Sequence, residues 1–142
     1  MAVDRWLIDK SALVRLGDTK DAASWAQRIN DGQVYISSIT RLEIGYSARS
    51  LKDLEKSFST LPLSKMRIES LSPTIEDRAW DVLRQLARKG QHRAPSLPDL
   101  LIAATAEKHE MTLLHVDKDF DLIGKVTGQA VERLQFFPLL GI

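Results

Sequence analysis

The feature that most constrains the fold of this chain is a regular alternation of short apolar runs with helical patterns. Five apolar runs have the length and composition of strands, and they cover residues 6–8, 34–36, 66–69, 111–116 and 131–137. Apolar residues at helical spacing fill the intervals, in a short stretch after Asp9 and over 21–30, a segment from Thr40, 51–61, 73–89, 99–106 and 119–125. Strands and helices that alternate in this way predict an α/β fold, in which a parallel sheet is covered by helices on both faces.

Local signals predict where several of these elements begin and end. Thr40 to Glu43 matches the capping-box pattern, which places a helix start at Thr40. Ser72-Pro73 has the form of an N-cap followed by proline at the first helical position. Residues 99–106 are apolar almost all round, so we expect that helix to lie in the interior.

Length and composition indicate one globular domain over residues 1–142. The chain is 44% hydrophobic and 27% charged, which excludes the low-hydrophobicity composition of a disordered protein. Twenty Lys and Arg against nineteen Asp and Glu leave a formal net charge of +1. Because no global field attracts polyanions, any surface that binds nucleic acid must be local.

The absence of cysteine narrows the chemistry further. With no Cys in the sequence, disulfides, thiolate metal sites and cysteine nucleophiles are all excluded, and the composition fits a reducing compartment. The N-terminus lacks a signal-peptide pattern, and no apolar stretch approaches the roughly 20 residues of a membrane helix. We therefore expect a cytoplasmic protein without a membrane partner.

Four acidic residues fall at the ends of predicted elements. Asp9 and Asp117 directly follow strands, whereas Glu43 and Asp99 lie at the starts of helices. In an open α/β sheet the functional crevice lies outside the carboxyl ends of the strands, so we expect these carboxylates to share one rim.

Each of these acids also has a purely structural interpretation. Asp9 could form a turn, Glu43 could complete the capping box, Asp99 could pair with Ser96, and Asp117 could cap the next helix. Gathered at one rim, however, the carboxylates would repel one another unless a cation lay among them. Oxygen ligands without His or Cys suit Mg²⁺ or Mn²⁺, which points to metal-assisted phosphodiester chemistry.

Four sequence blocks carry a resemblance to a known family. The blocks are Leu7-Ile8-Asp9-Lys10-Ser11-Ala12-Leu13, residues 36–45, residues 98–104 and His115-Val116-Asp117-Lys118-Asp119-Phe120. In this order and spacing they resemble the signature blocks of PIN-domain ribonucleases, and most closely those of the VapC toxins of VapBC toxin–antitoxin systems. The resemblance covers essentially the whole chain.

This resemblance implies a fold, an activity and partners. The fold would be a three-layer α/β/α sandwich with a central parallel sheet. The activity would be that of an Mg²⁺- or Mn²⁺-dependent endoribonuclease that cuts structured RNA, such as tRNA or the large ribosomal RNA. Such proteins are typically homodimers that a VapB antitoxin neutralises by placing its C-terminal segment in the active-site groove, often with a basic residue among the carboxylates.

The resemblance also assigns residues. Asp9, Glu43, Asp99 and Asp117 match the acidic set of the family, and Asp119 is an alternative position for the last acid. In the implied mechanism Asp9 and Asp99 hold Mg²⁺, Glu43 and Asp117 complete its shell directly or through waters, and a metal-activated water attacks the phosphorus in line. The sequence leaves open whether one ion or two bind.

Two neighbours of Asp9 receive different expectations. Ser11 matches the small hydroxyl residue that often follows the first Asp of the family by two. Lys10 departs from the family pattern, which commonly has Thr there. As neighbours on an extended segment Asp9 and Lys10 should point oppositely, so Lys10 need not enter the site, although it could contact an RNA phosphate.

Although the net charge is only +1, one segment of the chain is rich in basic residues. Arg84, Arg88, Lys89, His92 and Arg93 crowd a helix end and the connector before Asp99, where they could bind RNA phosphates. They could equally serve the negative end of the helix dipole.

Other features leave further alternatives open. His92, His109 and His115 show no partnering pattern, so we expect surface or packing roles and no two-histidine ribonuclease mechanism. The apolar end of the chain, residues 136–142, could pack on its own domain, a partner or a second copy. For function, a non-catalytic PIN-like interaction module and a housekeeping PIN nuclease without an antitoxin remain as alternatives.

Overall fold

The structure, a computed structural model that describes residues 3–138, has a five-stranded sheet at its centre. Its strands are β1 (Trp6–Ile8), β2 (Val34–Ser37), β3 (Arg67–Glu69), β4 (Thr112–His115) and β5 (Val131–Arg133). They lie in the order β3-β2-β1-β4-β5, and each neighbouring pair is parallel. The predicted parallel α/β fold is therefore confirmed.

In this described part of the chain, seven α-helices surround the sheet. They are α1 (Lys10–Leu13), α2 (Ala22–Asn30), α3 (Ser38–Ser47), α4 (Leu51–Ser59), α5 (Pro73–Arg88), α6 (Leu97–Lys108) and α7 (Lys118–Thr127). The helix α6 is the most deeply buried of the longer ones, as its apolar sequence predicts, and Ile102 and Ala106 are fully inaccessible to solvent. Within residues 3–138, no helix combines the length and the apolar character needed to cross a membrane.

Alternate residues of the strands face two separate cores. Leu7 and Leu113 point to one face, where they pack with buried residues of α5, α6 and α7. Trp6, Ile8 and Leu114 point to the other face, where they pack with α1 and α2. Because successive side chains of a strand face opposite sides, a central sheet with two apolar faces requires a helical layer on each, and the result is a three-layer sandwich.

The predicted start of the third helix is wrong by two residues. Strand β2 passes directly into α3, and Ser37 is the N-cap, because its hydroxyl oxygen accepts the N–H of Thr40 at 2.9 Å. Thr40 is thus the third residue of the helix rather than its cap. The carboxylate of Glu43 consequently has no capping role and is available to the rim of the sheet.

The last strand is shorter than its apolar sequence predicts. It ends at Arg133 because its partner strand β4 ends at His115, which pairs with Arg133 in the register. Beyond that point Phe136 forms an isolated bridge with Thr19 and packs back against the core that contains Trp6. Phe137 is exposed, and the final residues of the apolar end, 139–142, lie outside the described part of the chain.

The role of Ser37 can be tested by removing its hydroxyl. Ser37→Ala should lower the free energy of unfolding by about 1–2 kcal/mol, because a buried N–H at the start of α3 loses its acceptor. The matched control is Ser24→Ala, on an exposed position of α2, which should change the value by less than about 0.5 kcal/mol. Urea titrations in which both variants lose the same stability would contradict the assignment of Ser37 as the cap.

Candidate active site

The ends of two adjacent strands place the first and last of the predicted acids. Strands β1 and β4 are hydrogen-bonded neighbours, and Asp9 and Asp117 follow their carboxyl ends. The backbone N–H of Asp9 donates to the carbonyl of Leu114 at 2.9 Å, which extends the pairing to the acid itself. The expected shared rim is therefore present.

Asp9 is held tightly at this rim. It is 6% exposed, and its carboxylate accepts the N–H of Ser11 at 3.0 Å as the N-cap of α1. The hydroxyl oxygen of Ser11 in turn accepts the N–H of Val116 at 3.0 Å, just beyond β4. Ser11 therefore fixes the start of α1 against the segment that carries Asp117.

Asp99 lies in the first turn of α6 and forms the capping box that its sequence offered as an alternative. The N–H of Asp99 donates to Ser96 Oγ at 3.2 Å, and the N–H of Ser96 donates to Asp99 Oδ2 at 3.3 Å. The capping interaction uses one carboxylate oxygen. This interaction also fixes the carboxyl group at the rim. Asp99 can therefore serve both as a helix cap and as a carboxylate of the site.

Asp117 and Asp119 complete a compact acidic cluster with Asp99. Asp117 caps α7, because its carboxylate accepts the N–H of Asp119 at 2.9 Å. One carboxylate oxygen of each of the three residues lies within 4.8 Å of the others. The structure thus brings together both alternatives for the last acid rather than one of them.

Glu43 approaches the cluster from α3 and has a buried oxygen without a partner. Its Oε1 has no hydrogen-bond donor among the described residues. Burial raises the pKa of Glu43 above its usual value, and the negative charges of Asp9 and Asp99 raise it further, while Lys10 opposes them. The Glu43 carboxylate therefore interacts electrostatically with both aspartates.

Burial and neighbouring charges also act on Asp99. Burial raises its pKa to about 6, against the hydrogen bonds from Ser96, and the charges of Asp9 and Asp117 contribute to the rise. Carboxylates packed this closely stabilise their protonated forms unless a cation neutralises them. Asp9, which is not part of the compact cluster, is therefore near enough to influence it.

The residues present fit a divalent cation. The donors are all carboxylate oxygens, which hard ions prefer, and a buried Glu43 oxygen without a hydrogen bond is a free ligand atom. One oxygen of each of three further carboxylates, those of Asp99, Asp117 and Asp119, lies within 4.8 Å of the other two. An acidic cluster able to hold a divalent metal ion is thus a property of this rim.

The expectation for Lys10 rested on an extended backbone that the structure does not have. Lys10 is the first residue of α1, so it does not alternate with Asp9 as on a strand. Its Nζ donates to Ser47 Oγ at 2.6 Å, and its charge lowers the pKa of Glu43. Lys10 therefore lies beside the acidic site rather than pointing away from it.

The predicted basic cluster lies on the surface near the start of α6, the end of that helix that carries Asp99. Arg78 near the start of α5 pairs with Glu107 near the end of α6 at 2.5 Å, so the two helices are antiparallel. The end of α5 and the beginning of α6 are consequently neighbours. The predicted cations at that end, Arg84, Arg88, Lys89 and Arg93, are all exposed, as is His92.

His115 is a residue of the site whose contacts sequence reasoning missed. It is buried, as expected of a packing histidine, but its Nδ1 also accepts the backbone N–H of Asp117 at 3.1 Å. Burial lowers its pKa, against an opposing influence from Asp121. Its position two residues before Asp117 was the only signal in the sequence.

An apolar groove beside Glu43 was also missed. It encloses about 1150 Å³ between α3, α4 and the edge of the sheet, and its lining includes Leu42, Tyr46, Phe58 and Ile68. Tyr46 is 92% exposed, although it is aromatic. The signal lay in apolar residues of α3 that the core does not bury.

The unfavourable charge at Asp99 predicts a stabilising substitution. Because its folded-state pKa lies above the usual 3.8, the stability that its protonated form contributes is present below about pH 4 and is lost as the pH rises through about 6. In EDTA at pH 7.5, Asp99→Asn should therefore raise the free energy of unfolding by about 1–2 kcal/mol, allowing for partial exposure and for the lost charge at the helix start.

The control for this measurement is Asp77→Asn, which removes an exposed acid from α5. Thermal unfolding with Mn²⁺ should reverse the order, because the wild-type chain then gains more stability than Asp99→Asn. Equal stability of the two chains in EDTA and in Mn²⁺ would contradict a strained acidic centre.

Comparisons with known proteins agree with this architecture. Residues 6–126 match the PIN domain family model. Ribonuclease VapC2 of Mycobacterium tuberculosis (strain CDC 1551 / Oshkosh) is 55% identical over 138 residues, which cover 97% of this chain and 98% of that protein. Ribonuclease VapC21 of the same strain is 36% identical over 128 residues, covering 90% and 92%.

Solved structures share the fold. VapBC2 from Rickettsia felis, bound to a DNA fragment from its promoter, superimposes with a TM-score of 0.74 at 18% identity and covers 92% of this chain and 98% of that one. DNA-bound VapBC from Salmonella typhimurium gives a TM-score of 0.71 at 19% identity with the same coverage. With the match over most of its length and the close VapC relatives, the chain belongs to the PIN domain family, among its VapC ribonucleases.

Proposed function

We propose that this protein is an endoribonuclease toxin that cleaves structured RNA, such as tRNA or ribosomal RNA, with Mg²⁺ or Mn²⁺ at the acidic rim, and that a VapB-type antitoxin inhibits it. The observation that carries the proposal is the compact cluster of Asp99, Asp117 and Asp119, whose charges interact with those of Asp9 and Glu43. Family membership supplies the reaction, hydrolysis of an RNA phosphodiester.

The carboxylates take distinct parts in the proposed site. Asp99, Asp117 and Asp119 form the compact cluster that would hold the ion. Asp9, fixed by the N–H of Ser11, and Glu43, with its free Oε1, would close the shell from the other side, directly or through waters. Ser11 supports the site by holding its two walls together and touches no reacting atom in this scheme.

A divalent ion bound there would lower the pKa of a water and offset the negative charge of the reacting phosphate. The residues contribute orientation and proton transfer. The raised pKa of Glu43 makes its carboxylate a better proton acceptor than an ordinary surface glutamate, which suits a group that faces the attacking water. The hydrogen bond from the Ser11 N–H holds the buried Asp9 carboxylate in one position.

The basic cluster would supply affinity for the RNA backbone. Arg84 and Arg88 are one helical turn apart on the exposed face of α5, and Lys89 and Arg93 continue toward the start of α6. Phosphate contacts provide most of the sequence-independent affinity for nucleic acid. A protein with a net charge of +1 would depend on such a local surface.

The apolar groove would receive the antitoxin. Its lining includes Glu43 and other residues of α3 and α4, so a peptide seated in it would lie against one of the site carboxylates. Apolar side chains of such a segment would cover Leu42 and Tyr46, and a terminal basic residue would neutralise the acidic cluster. Structures of VapBC complexes share the fold of this chain, which supports a partner of this class.

We also propose that a second copy of this chain is a partner and that the two form a homodimer, because the family that the sequence resembles is typically homodimeric. The exposed Phe137 near the end of the described chain is an apolar group that a second copy could cover.

The non-catalytic module that the sequence left open is not favoured. A binding module has no need for a buried Glu43 oxygen without a hydrogen bond or for an Asp99 carboxyl whose pKa is raised. Both features reduce the stability of the folded protein, and shifted pKa values of this kind are common among active-site residues.

Removal of single carboxylates tests the proposed chemistry. In assays of purified, antitoxin-free protein with total RNA and Mg²⁺, Asp9→Ala and Asp99→Ala should each reduce cleavage by at least roughly 100-fold, because loss of one positioned charged group in such a site commonly has that effect. EDTA should abolish cleavage by the wild-type chain. Sequencing of the 5′ ends of the products would then identify the RNA and its cut site.

Asp77→Ala serves as the control, since it removes an exposed acid near the start of α5, the end of that helix remote from Asp99, and should cleave as the wild type does. If all four proteins cleave equally, or if EDTA has no effect, the assignment of the acidic rim as the catalytic site is wrong.

The basic cluster predicts a separate effect on substrate binding. Arg84→Ala combined with Arg88→Ala should raise KM roughly tenfold, about 1.4 kcal/mol for the pair, with kcat nearly unchanged. The slope of log KM against log salt concentration should also decrease by about 1–2. A double variant with the same charge change, Lys20→Ala with Lys108→Ala, controls for net charge, and an equal effect in both would indicate that these arginines have no special role.

A further inference from the structure

His115 closes strand β4 directly beneath the acidic rim. Its side chain is 0% exposed, and its ring lies 5.5 Å from that of Phe120, which belongs to the core that contains Leu7 and Leu113. Its Nδ1 accepts a backbone N–H, so that nitrogen carries no proton and the ring is a neutral imidazole. Its two ring nitrogens then have different roles, one as donor and the other as acceptor.

The contact at Nδ1 decides which nitrogen carries the proton. The backbone N–H of Asp117 donates to Nδ1 at 3.1 Å. Because a neutral imidazole has a single N–H, acceptance at Nδ1 places that proton on Nε2.

The surroundings of Nε2 favour the same tautomer. Nε2 lies 3.3 Å from Asp121 Oδ1, although the geometry does not make a hydrogen bond. The other oxygen of Asp121 accepts from Arg133 at 2.5 Å, which anchors the carboxylate to β5. An Nε2–H therefore faces a fixed negative charge, whereas a lone pair at Nε2 would be repelled by it.

The orientation of the Asp117 backbone amide affects two of the carboxylates at the acidic rim. Asp117 caps α7 and accepts the N–H of Asp119, so the orientation of its backbone sets the direction of both carboxylates. These are the two residues that meet Asp99 in the compact cluster.

We propose that His115, as its Nε2–H tautomer, is a positioning residue that fixes the Asp117 amide and thereby directs the Asp117 and Asp119 carboxylates toward Asp99. This inference rests on the proposed function, since it assigns His115 to the support of the proposed metal site. Arg133 and Asp121 complete the support by presenting a carboxylate to the Nε2 side of the ring.

The tautomer can be measured on the wild-type protein. Long-range ¹H–¹⁵N spectra of the full chain with ¹⁵N-labelled histidine, recorded at pH 7.5 without metal, should show one histidine locked as Nε2–H, and that signal should be absent from His115→Asn. An Nδ1–H tautomer, an imidazolium or rapid exchange between tautomers would overturn the proposal.

Two variants separate positioning from packing. The side-chain amide of His115→Asn occupies the place of Nδ1 and can accept the Asp117 N–H, whereas that of His115→Gln reaches toward the place of Nε2. Both remove the ring from the core, so both should unfold at lower urea concentration. In isothermal titration with Mn²⁺ and no RNA, His115→Asn should bind within about threefold of wild type, and His115→Gln should bind at least roughly tenfold more weakly.

The outcomes distinguish the two proposals. If the wild type binds Mn²⁺ and the two variants bind it with the same affinity as each other, the positioning role of His115 is overturned and the proposed function stays intact. This holds whether the affinity of both variants is unchanged or weakened. Failure of the wild type itself to bind Mn²⁺ would overturn the proposed metal site together with the positioning role, even if the Nε2–H tautomer is observed.

Discussion

Mutual repulsion among carboxylates is the constraint on which the rest of this structure depends. Asp9, Asp99 and Asp117 lie at the starts of α1, α6 and α7, and each accepts a backbone N–H from its own helix or the residue before it. These caps and the positive ends of the helix dipoles hold the acids in place and offset part of their repulsion. Glu43 has no such support, because it lies within α3 rather than at its start, and one of its oxygens has no hydrogen bond from any residue between 3 and 138. The rim is therefore rigid in its backbone while its charge is only partly compensated.

This arrangement links stability to function. A carboxyl such as Asp99, whose pKa is raised to about 6, reduces the stability of the folded protein at neutral pH unless a cation lies among its neighbours. Sites of this kind commonly sacrifice stability for activity. The same unbalanced charge would attract either of two proposed occupants, a divalent ion during catalysis or a basic residue of an antitoxin. Because Glu43 lies in the lining of the apolar groove, a peptide seated there would compete with the ion for the carboxylates of the proposed metal site.

Much of the fold was predictable from the sequence, because strands buried on both faces and amphipathic helices have distinct apolar periods. The acids at strand ends were predictable for the same reason, since parallel strands gather their carboxyl ends at one edge. The exact starts of helices and the individual side-chain contacts depended on local backbone geometry, which the sequence patterns did not reveal. Ser37 rather than Thr40 caps α3 because β2 continues into the helix without a loop. The apolar spacing predicted a helix after Asp9 but not its first residue, so it did not show that Lys10 begins α1. The contact of His115 with the Asp117 amide depended on a backbone geometry that no residue pattern encodes.

The central claim is that these carboxylates form a divalent metal site, and diffraction from crystals of the antitoxin-free protein grown with Mn²⁺ tests it most directly. Data collected at the manganese absorption edge should give an anomalous peak within ligand distance of Asp99 and Asp117, with Asp9 or Glu43 completing the shell directly or through water. An anomalous map with no peak at this rim, or with the ion bound only elsewhere on the protein, would contradict the account.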